Sequence, residues 1–194
     1  MATFSISDIR SRAKLSGKSN KTVNEILDEL VLKQKKASAL DVFLSISNLE
    51  PELIIGAALT LEDVGYSIYL DPHEDQNKEH SSSIKKISRE KAKALSGLMD
   101  RCQGMIIVTT SAKSESLWQL WECGYFSGKK GRIAIMPITP VNAEIYRGES
   151  YLGLYPFITT YQTQNRQTIL VVKYGTKVYC TLDNWFAGGE GLLE

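Results

Sequence analysis

Hydrophobic positions along this chain change period several times, and each change marks the start of a strand or a helix. Leu40–Ile46, Leu-Asp-Val-Phe-Leu-Ser-Ile, is the first clear strand. Behind it, Pro51 suits the first turn of a helix, with Ile54, Ala57, Ala58, Leu61 and Val64 as the buried stripe and Gly65 at its end. Ser67–Leu70 is a short second strand, followed by a turn at Asp71-Pro72 and a polar loop at His73–Ser83. A helix from about Ile84 to Cys102 turns Leu95, Leu98, Met99 and Cys102 inward. Met105–Thr110 is apolar and β-branched, which predicts a buried third strand, and Arg132–Ile138 predicts a fourth.

Thr139–Ser150 reads as loop, and Tyr151–Tyr161 contains the fifth strand. Thr168–Val172 and Lys177–Thr181 flank Tyr174-Gly175-Thr176 and predict a terminal hairpin, with Trp185 and Phe186 packing back as a clasp. Ahead of the body, Val23, Ile26, Leu27 and Leu30 share a helical stripe within Thr22–Leu32. The chain therefore divides into a helical N-terminal extension (1–37), a main domain (38–163), and a C-terminal hairpin and tail (164–194) packed on it.

Strands alternating with helices predict an α/β fold, a parallel sheet covered by helices on both faces. Right-handed crossovers leave few topologies. The expected one is a flavodoxin-like, five-stranded sheet of order 2-1-3-4-5, counting Leu40–Ile46 as the first strand. Its ligand crevice opens at the carboxyl ends of strands one and three. Ser45, Ile46, Ser47 and Ser111 converge there, with Asp71 nearby at the end of strand two.

The helix entering that crevice is Ser116 onward. Ser114 and Ser116 both suit an N-cap, because a side-chain oxygen there accepts from an orphan helix N–H. Leu117, Trp121, Gly124 and Tyr125 form one stripe, and Trp118 stacks one turn above Glu122 on the next. Spacing alone leaves an ordinary alternative open, with Trp118 in the core and Glu122 a solvated helix residue.

Composition narrows the classes. A net charge of +1 argues against a nucleic-acid footprint, which needs a basic face. The opening residues have neither the basic nor the apolar region of a signal peptide, and no apolar run approaches the ~20 residues that span a bilayer. Cys102, Cys123 and Cys180 are odd in number and widely spaced, which suits a reducing cytoplasm and excludes a CxxC zinc site. His73 and His80, the only histidines, lie in the polar loop, so neither a metal centre nor a Ser-His-Asp triad is expected.

Two segments carry a resemblance. Asp41-Val-Phe-Leu-Ser45 is similar to the opening motif of TIR (Toll/interleukin-1 receptor) domains, and Ser111-x4-Ser116-x-Trp118-x3-Glu122 resembles their later Ser…Ser-x-Trp-Cys-x-x-Glu motif. The fuller run from Trp118 to Gly128, followed by an Ile-rich strand ending Pro137-Ile138, is similar to bacterial TIR proteins, including those of Thoeris-type anti-phage systems. The resemblance covers roughly Leu40–Tyr161. It implies an NAD+-consuming enzyme with Glu122 as the catalytic residue and Trp118 as its companion. It also implies that Ser45, Ile46 and Ser47 form a wall of the substrate pocket, near Ser111 and Ser116. NAD+ is then substrate, no cofactor is needed, and TIR–TIR self-association or a partner defence protein is expected.

The chain departs from the family at three places. Ile46 stands where an aromatic often follows the first-strand Ser, and Gln119 replaces the Cys after Trp118. His73–His80 replaces a Gly-(Asp/Glu)-Ser-Leu loop.

The chemistry suits one carboxylate. Nicotinamide leaves from a cationic ring nitrogen without needing a proton, and a carboxylate stabilises the oxocarbenium-like ribose left behind. Water as the next nucleophile gives ADP-ribose, and a hydroxyl or adenine nitrogen of the same molecule gives a cyclic isomer. Asp71 either contacts a ribose or serves as a turn residue. Two other classes fit parts of the pattern: a non-catalytic TIR adaptor, and a nucleoside deoxyribosyltransferase-like enzyme, which also sets a glutamate against an N-glycosidic bond.

Overall fold

A computed structural model of the chain describes residues 3–15, 25–26, 28–29, 39–46, 49–70, 89–110, 116–140, 150–175 and 178–189. Among these, the strands are β1 (Phe4–Ser5), β2 (Leu40–Ile46), β3 (Ile68–Leu70), β4 (Cys102–Thr110), β5 (Ile133–Thr139), β6 (Phe157–Gln162), β7 (Thr168–Tyr174) and β8 (Val178–Thr181). The helices with described bounds are α1 (Ile6–Lys14), α2 (Pro51–Glu62), α3 (Arg89–Met99), α4 (Leu117–Lys129) and α5 (Leu182–Phe186). A 3-10 turn occupies Ser150–Leu154.

The fold is α/β, built on a mostly parallel sheet. Its order among the described residues is β3-β2-β4-β5-β6-β7-β8, with β1 paired to β5. Strands β2 to β6 pair in parallel, and β6, β7 and β8 pair antiparallel. The sheet is thus larger than the five strands expected, because the hairpin continues it and the N-terminal segment adds a strand. β5 hosts both β6, at Ile135↔Phe157, and β1, at Ile138 and Thr139. Two residues of strand are too short to show a period, so the helical reading of 1–37 did not contain β1.

Side chains alternate across a strand, and here the alternation divides the core in two. Val42, Leu44, Ile46, Ile106, Val108 and Met136 face α1, α2 and α5. Phe43, Met105, Ile107, Ile133 and Ile135 face α3 and α4, where Leu95, Met99, Cys123 and Phe126 meet them. Ser45 follows Phe43 by two positions, so its side chain belongs to the α3/α4 side.

The N-terminal segment is tied to the body. Ser5 caps α1 by accepting from Asp8 N–H at 3.0 Å. The helix crosses α2 so closely that a Cβ on Gly56 would sit 2.1 Å from the Ile9 carbonyl oxygen. Arg12 grips Asp63 with two donors, and Arg10 pairs with Glu50. Thr22–Leu32 lies largely outside the described residues, although Ile26 is buried in the α1/α2 side of the core.

Several boundaries differ from expectation. Val64 is exposed rather than in the α2 stripe, because the helix ends at Glu62 and Gly65 turns the chain with φ of 99°. Helix α3 stops at Met99, and Cys102 opens β4 opposite Leu40. Pairing with β2 extends that strand three residues before the apolar run that marked it. The clasp exists: Trp185 is fully buried and its indole N–H donates to Tyr174 Oη at 2.9 Å. Phe186 lies over Gly104, where a Cβ would come within 2.5 Å of the ring. The loops His73–Ser83 and 141–149 lie outside the described residues.

Candidate active site

Helix α4 presents an inverted face to the sheet. A helix packed on a strand layer normally buries its apolar stripe. Here the buried residues are Gln119, Glu122, Cys123 and Phe126, whereas Leu117 is 66% exposed and Leu120 is also exposed. The stripe Leu117, Trp121, Gly124 and Tyr125 therefore lies toward the outside, with its aromatic members only half-buried. Ser116 caps the helix, accepting from Gln119 N–H at 3.3 Å.

Glu122 is 1% exposed. That removes the reading of a solvated helix residue. A carboxylate in this position needs polar partners, since burying an unpaired charge is very costly. Ser45 supplies one: its hydroxyl donates to Glu122 Oε2 at 2.7 Å. Gln119 Nε2 donates to Ser45 Oγ at 3.1 Å, and Tyr151 Oη donates to Gln119 Oε1 at 3.0 Å. Four side chains from β2, α4 and the 3-10 turn thus form one buried polar chain ending on the carboxylate.

Trp118 is half-buried on the same helix. Its ring stacks on Trp121 with centroids 5.0 Å apart, and the Lys91 ammonium lies 5.1 Å from its centroid. Trp121 in turn stacks on Tyr125, whose hydroxyl donates to Asp100 at 2.9 Å. The Trp118 indole N–H is buried and has no hydrogen-bond partner among the described residues. Buried donors are nearly always satisfied, so this one stands out beside a buried carboxylate.

Of the residues singled out by sequence, Glu122, Ser45, Ser116 and Trp118 come from two elements that meet. The Ile46 side chain does not join them. Strand alternation turns it to the opposite face, where it packs in the α1/α2 core, so only its backbone borders the Ser45 side. Ser47, Asp71 and Ser111 lie outside the described residues. Sequence reading missed Gln119 and Tyr151 as members of the site. Gln119 carried a signal, being three residues before Glu122 and so on its face of the helix. Tyr151 carried none, because only tertiary folding brings the 3-10 turn to α4.

Burial also shapes the neighbouring thiol. Cys123 is buried beside Glu122, and burial first, then the adjacent carboxylate, pushes its thiol up to about 12. It is a packing residue rather than a nucleophile at neutral pH. Among the described residues, no group of three or more His, Cys, Asp or Glu is arranged to hold a metal, and no helix is long and apolar enough to cross a membrane.

A mostly parallel α/β sheet, with Ser45 on a central strand bonded to a buried Glu122 on the helix that follows the neighbouring strand β4, fits the TIR class. No protein-family profile matches the chain. A curated protein of Bacillus cereus (strain MSX-D12), named probable 3′ cyclic ADP-D-ribose synthase ThsB′, is 33% identical to it over 168 residues. The match spans 86% of this chain and 85% of that protein. The chain belongs to this ThsB′-type family of Thoeris TIR proteins.

Proposed function

We propose that the protein is an NAD+ cyclase of anti-phage defence, with Glu122 as its catalytic carboxylate. The observation that carries the reading is the burial of Glu122 against Ser45, at 1% exposure and 2.7 Å. A protein accepts the cost of burying a carboxylate most readily where the charge is used. In NAD+ the C1″–N bond to nicotinamide breaks, and its electron pair leaves with the neutral base. The ribose carbon becomes oxocarbenium-like, and an anionic oxygen held in a low-dielectric site stabilises that charge. Attack by a hydroxyl of the same ADP-ribose closes the ring, the hydroxyl proton passing to solvent. The name of the Bacillus cereus relative supports a 3′ cyclic ADP-ribose as the product.

Trp118 lines the approach to the carboxylate in this reading, with Ser116 at the helix entrance. Ser47 and Ser111 remain the further substrate contacts that the TIR motifs imply, Asp71 is placed near them by the strand order, as a ribose contact or a turn residue, and no cofactor is required. Self-association belongs to the same reading and is supported by the exposed Leu117 and Leu120 on α4. A cytoplasmic setting is supported by three buried thiols, none of them in a disulfide.

The test is incubation of purified protein with NAD+ while nicotinamide and cyclic product are followed by mass spectrometry, wild type beside Glu122→Gln. Nicotinamide release by wild type and its loss in the variant are expected. Equal turnover in both proteins would reject Glu122 as the reacting group. A folded wild type that releases nothing, alone or with phage-infected extract, would favour the adaptor class.

A further inference from the structure

Building on the reading of Glu122 as the reacting carboxylate, we infer that Gln119 and Tyr151 are positioning residues that hold the Ser45 hydroxyl in place as a donor to Glu122. Ser45 owns one hydroxyl proton and lies within reach of two acceptor candidates, Glu122 Oε2 at 2.7 Å and the Gln119 amide at 3.1 Å. An amide NH2 only donates and an amide oxygen only accepts. With Nε2 toward Ser45, the amide donates to Oγ and leaves the hydroxyl proton for the carboxylate. With the amide turned over, Oε1 takes that proton, and the lone pairs of Ser45 and Glu122 confront each other across a buried contact.

Glu122 selects the first arrangement, because an ionised carboxylate only accepts and so takes the Ser45 hydroxyl proton. Tyr151 completes it: its phenol lies 3.0 Å from Gln119 Oε1 and donates to it. An ionised Glu122 therefore gives the whole chain one polarity: Tyr151 to Gln119, Gln119 to Ser45, Ser45 to Glu122. Each donated bond strengthens the next in a low-dielectric interior. A carboxylate so held keeps its torsion and its aim, and small misplacements of a reacting group cost rate rather than ground-state binding. Gln119 and Tyr151 act through Ser45, without touching the reacting atoms themselves. The 3-10 turn at Ser150–Leu154 thereby becomes part of the active-site support.

The test uses the full chain with NAD+ and compares Ser45→Ala, Gln119→Met, Tyr151→Phe and the double variant Ser45→Ala/Tyr151→Phe. Each single variant is expected to lose about tenfold in kcat with KM within about twofold. The double variant should lose no more than Ser45→Ala alone, because the relay from Tyr151 reaches Glu122 through the Ser45 hydroxyl. Losses that multiply in the double variant, or that fall on KM, would overturn the relay. Glu122→Gln run alongside separates the two readings. Wild-type turnover in that variant rejects the role of Glu122, whereas an inactive Glu122→Gln beside an unaffected Tyr151→Phe rejects only the positioning role.

A second measurement needs no turnover. The Gln119 side-chain NH2 should be protected from solvent exchange in 1H–15N spectra of the wild type, and exchange about tenfold faster or more in Tyr151→Phe. A freely exchanging Gln119 amide in the wild type would overturn the proposal. Tyr151→Phe removes only a hydroxyl from a half-buried ring, so it keeps the fold even where Gln119→Met does not.

Discussion

The Ser45 hydroxyl donates to the Glu122 carboxylate at 2.7 Å, between residues 77 positions apart in the chain. One side chain comes from the carboxyl end of β2 and the other from the second turn of α4. Their contact is what turns a helix residue of ordinary spacing into a candidate reacting group. It also makes the site dependent on how α4 sits against the sheet.

Glu122 is the first place to probe the balance between activity and stability. Glu122→Gln preserves the side-chain shape and an oxygen for the Ser45 hydroxyl, while removing a carboxyl group whose charged form burial penalises. The variant is expected to unfold in urea at the same or a higher midpoint than wild type. Nicotinamide release should fall by at least about a hundredfold, the scale seen when one electrostatic stabiliser is removed. A large loss of stability with retained turnover would contradict both halves.

Trp118 separates packing from chemistry through its unpartnered indole N–H. Trp118→Phe deletes a buried, unsatisfied donor but keeps a ring to stack on Trp121 and beneath Lys91. Thermal unfolding is expected to shift by no more than the equivalent of ~1 kcal/mol. Turnover should drop if that donor meets substrate, and the drop is read as kcat/KM on NAD+. Trp118→Ala, which also loses the stacked face, should be the less stable of the two.

Gly56 tests the docking of the N-terminal helix. A methyl group there meets the Ile9 carbonyl oxygen at 2.1 Å, so α1 must move away from α2. Gly56→Ala is expected to cost about 1–3 kcal/mol in urea unfolding. Gly97→Ala is the control, because a Cβ at that position on α3 meets nothing within 4 Å. It should leave stability unchanged or raise it by up to ~1 kcal/mol, the helix preference of Ala over Gly.

The buried thiols predict an alkaline limit. Burial pushes both Cys102 and Cys123 up to about 12, from an ordinary value of 9.0. Below pH 9 the thiols are protonated in both folded and unfolded chains and the full stability is present. As pH rises from 9 toward 12 the unfolded chain loses these protons first, so stability falls through that window. Tyr66, also raised chiefly by burial, acts in the same sense above its ordinary value of 10.0. Urea unfolding at pH 8 and pH 10.5 should show the loss, and Cys102→Ala/Cys123→Ala should reduce it. Thiol reagents at pH 8 should leave both cysteines unmodified until the protein unfolds.

Local chemistry is enough to read much of this fold. The β-branched run before Thr110, Pro51 at a helix start, the Ser116 cap and the four-residue step from Trp118 to Glu122 all follow from propensities and periods confined to a few residues. The TIR motifs are legible for the same reason, because their residues are spaced by the strand and helix that carry them. Other features depend on partners distant in sequence. Cys102 is strand rather than helix because Leu40 pairs with it, and Phe4–Ser5 is strand because the end of β5 has an open edge.

The rotation of α4 is the decisive case. Its sequence permits the Leu117 and Trp121 stripe to face inward, which would leave Glu122 in water. Packing instead seats Cys123 and Phe126 against Phe43 and Met105, and that choice carries Gln119 and Glu122 inside with them. Spacing along the chain determined that an indole and a carboxylate stand one turn apart. Only the tertiary structure determined that the carboxylate is buried, that Ser45 meets it, and that Tyr151 reaches the same chain of hydrogen bonds. The physical reason is that a helix's azimuth is chosen by the sum of its contacts with other elements, and no window of its own sequence contains those partners.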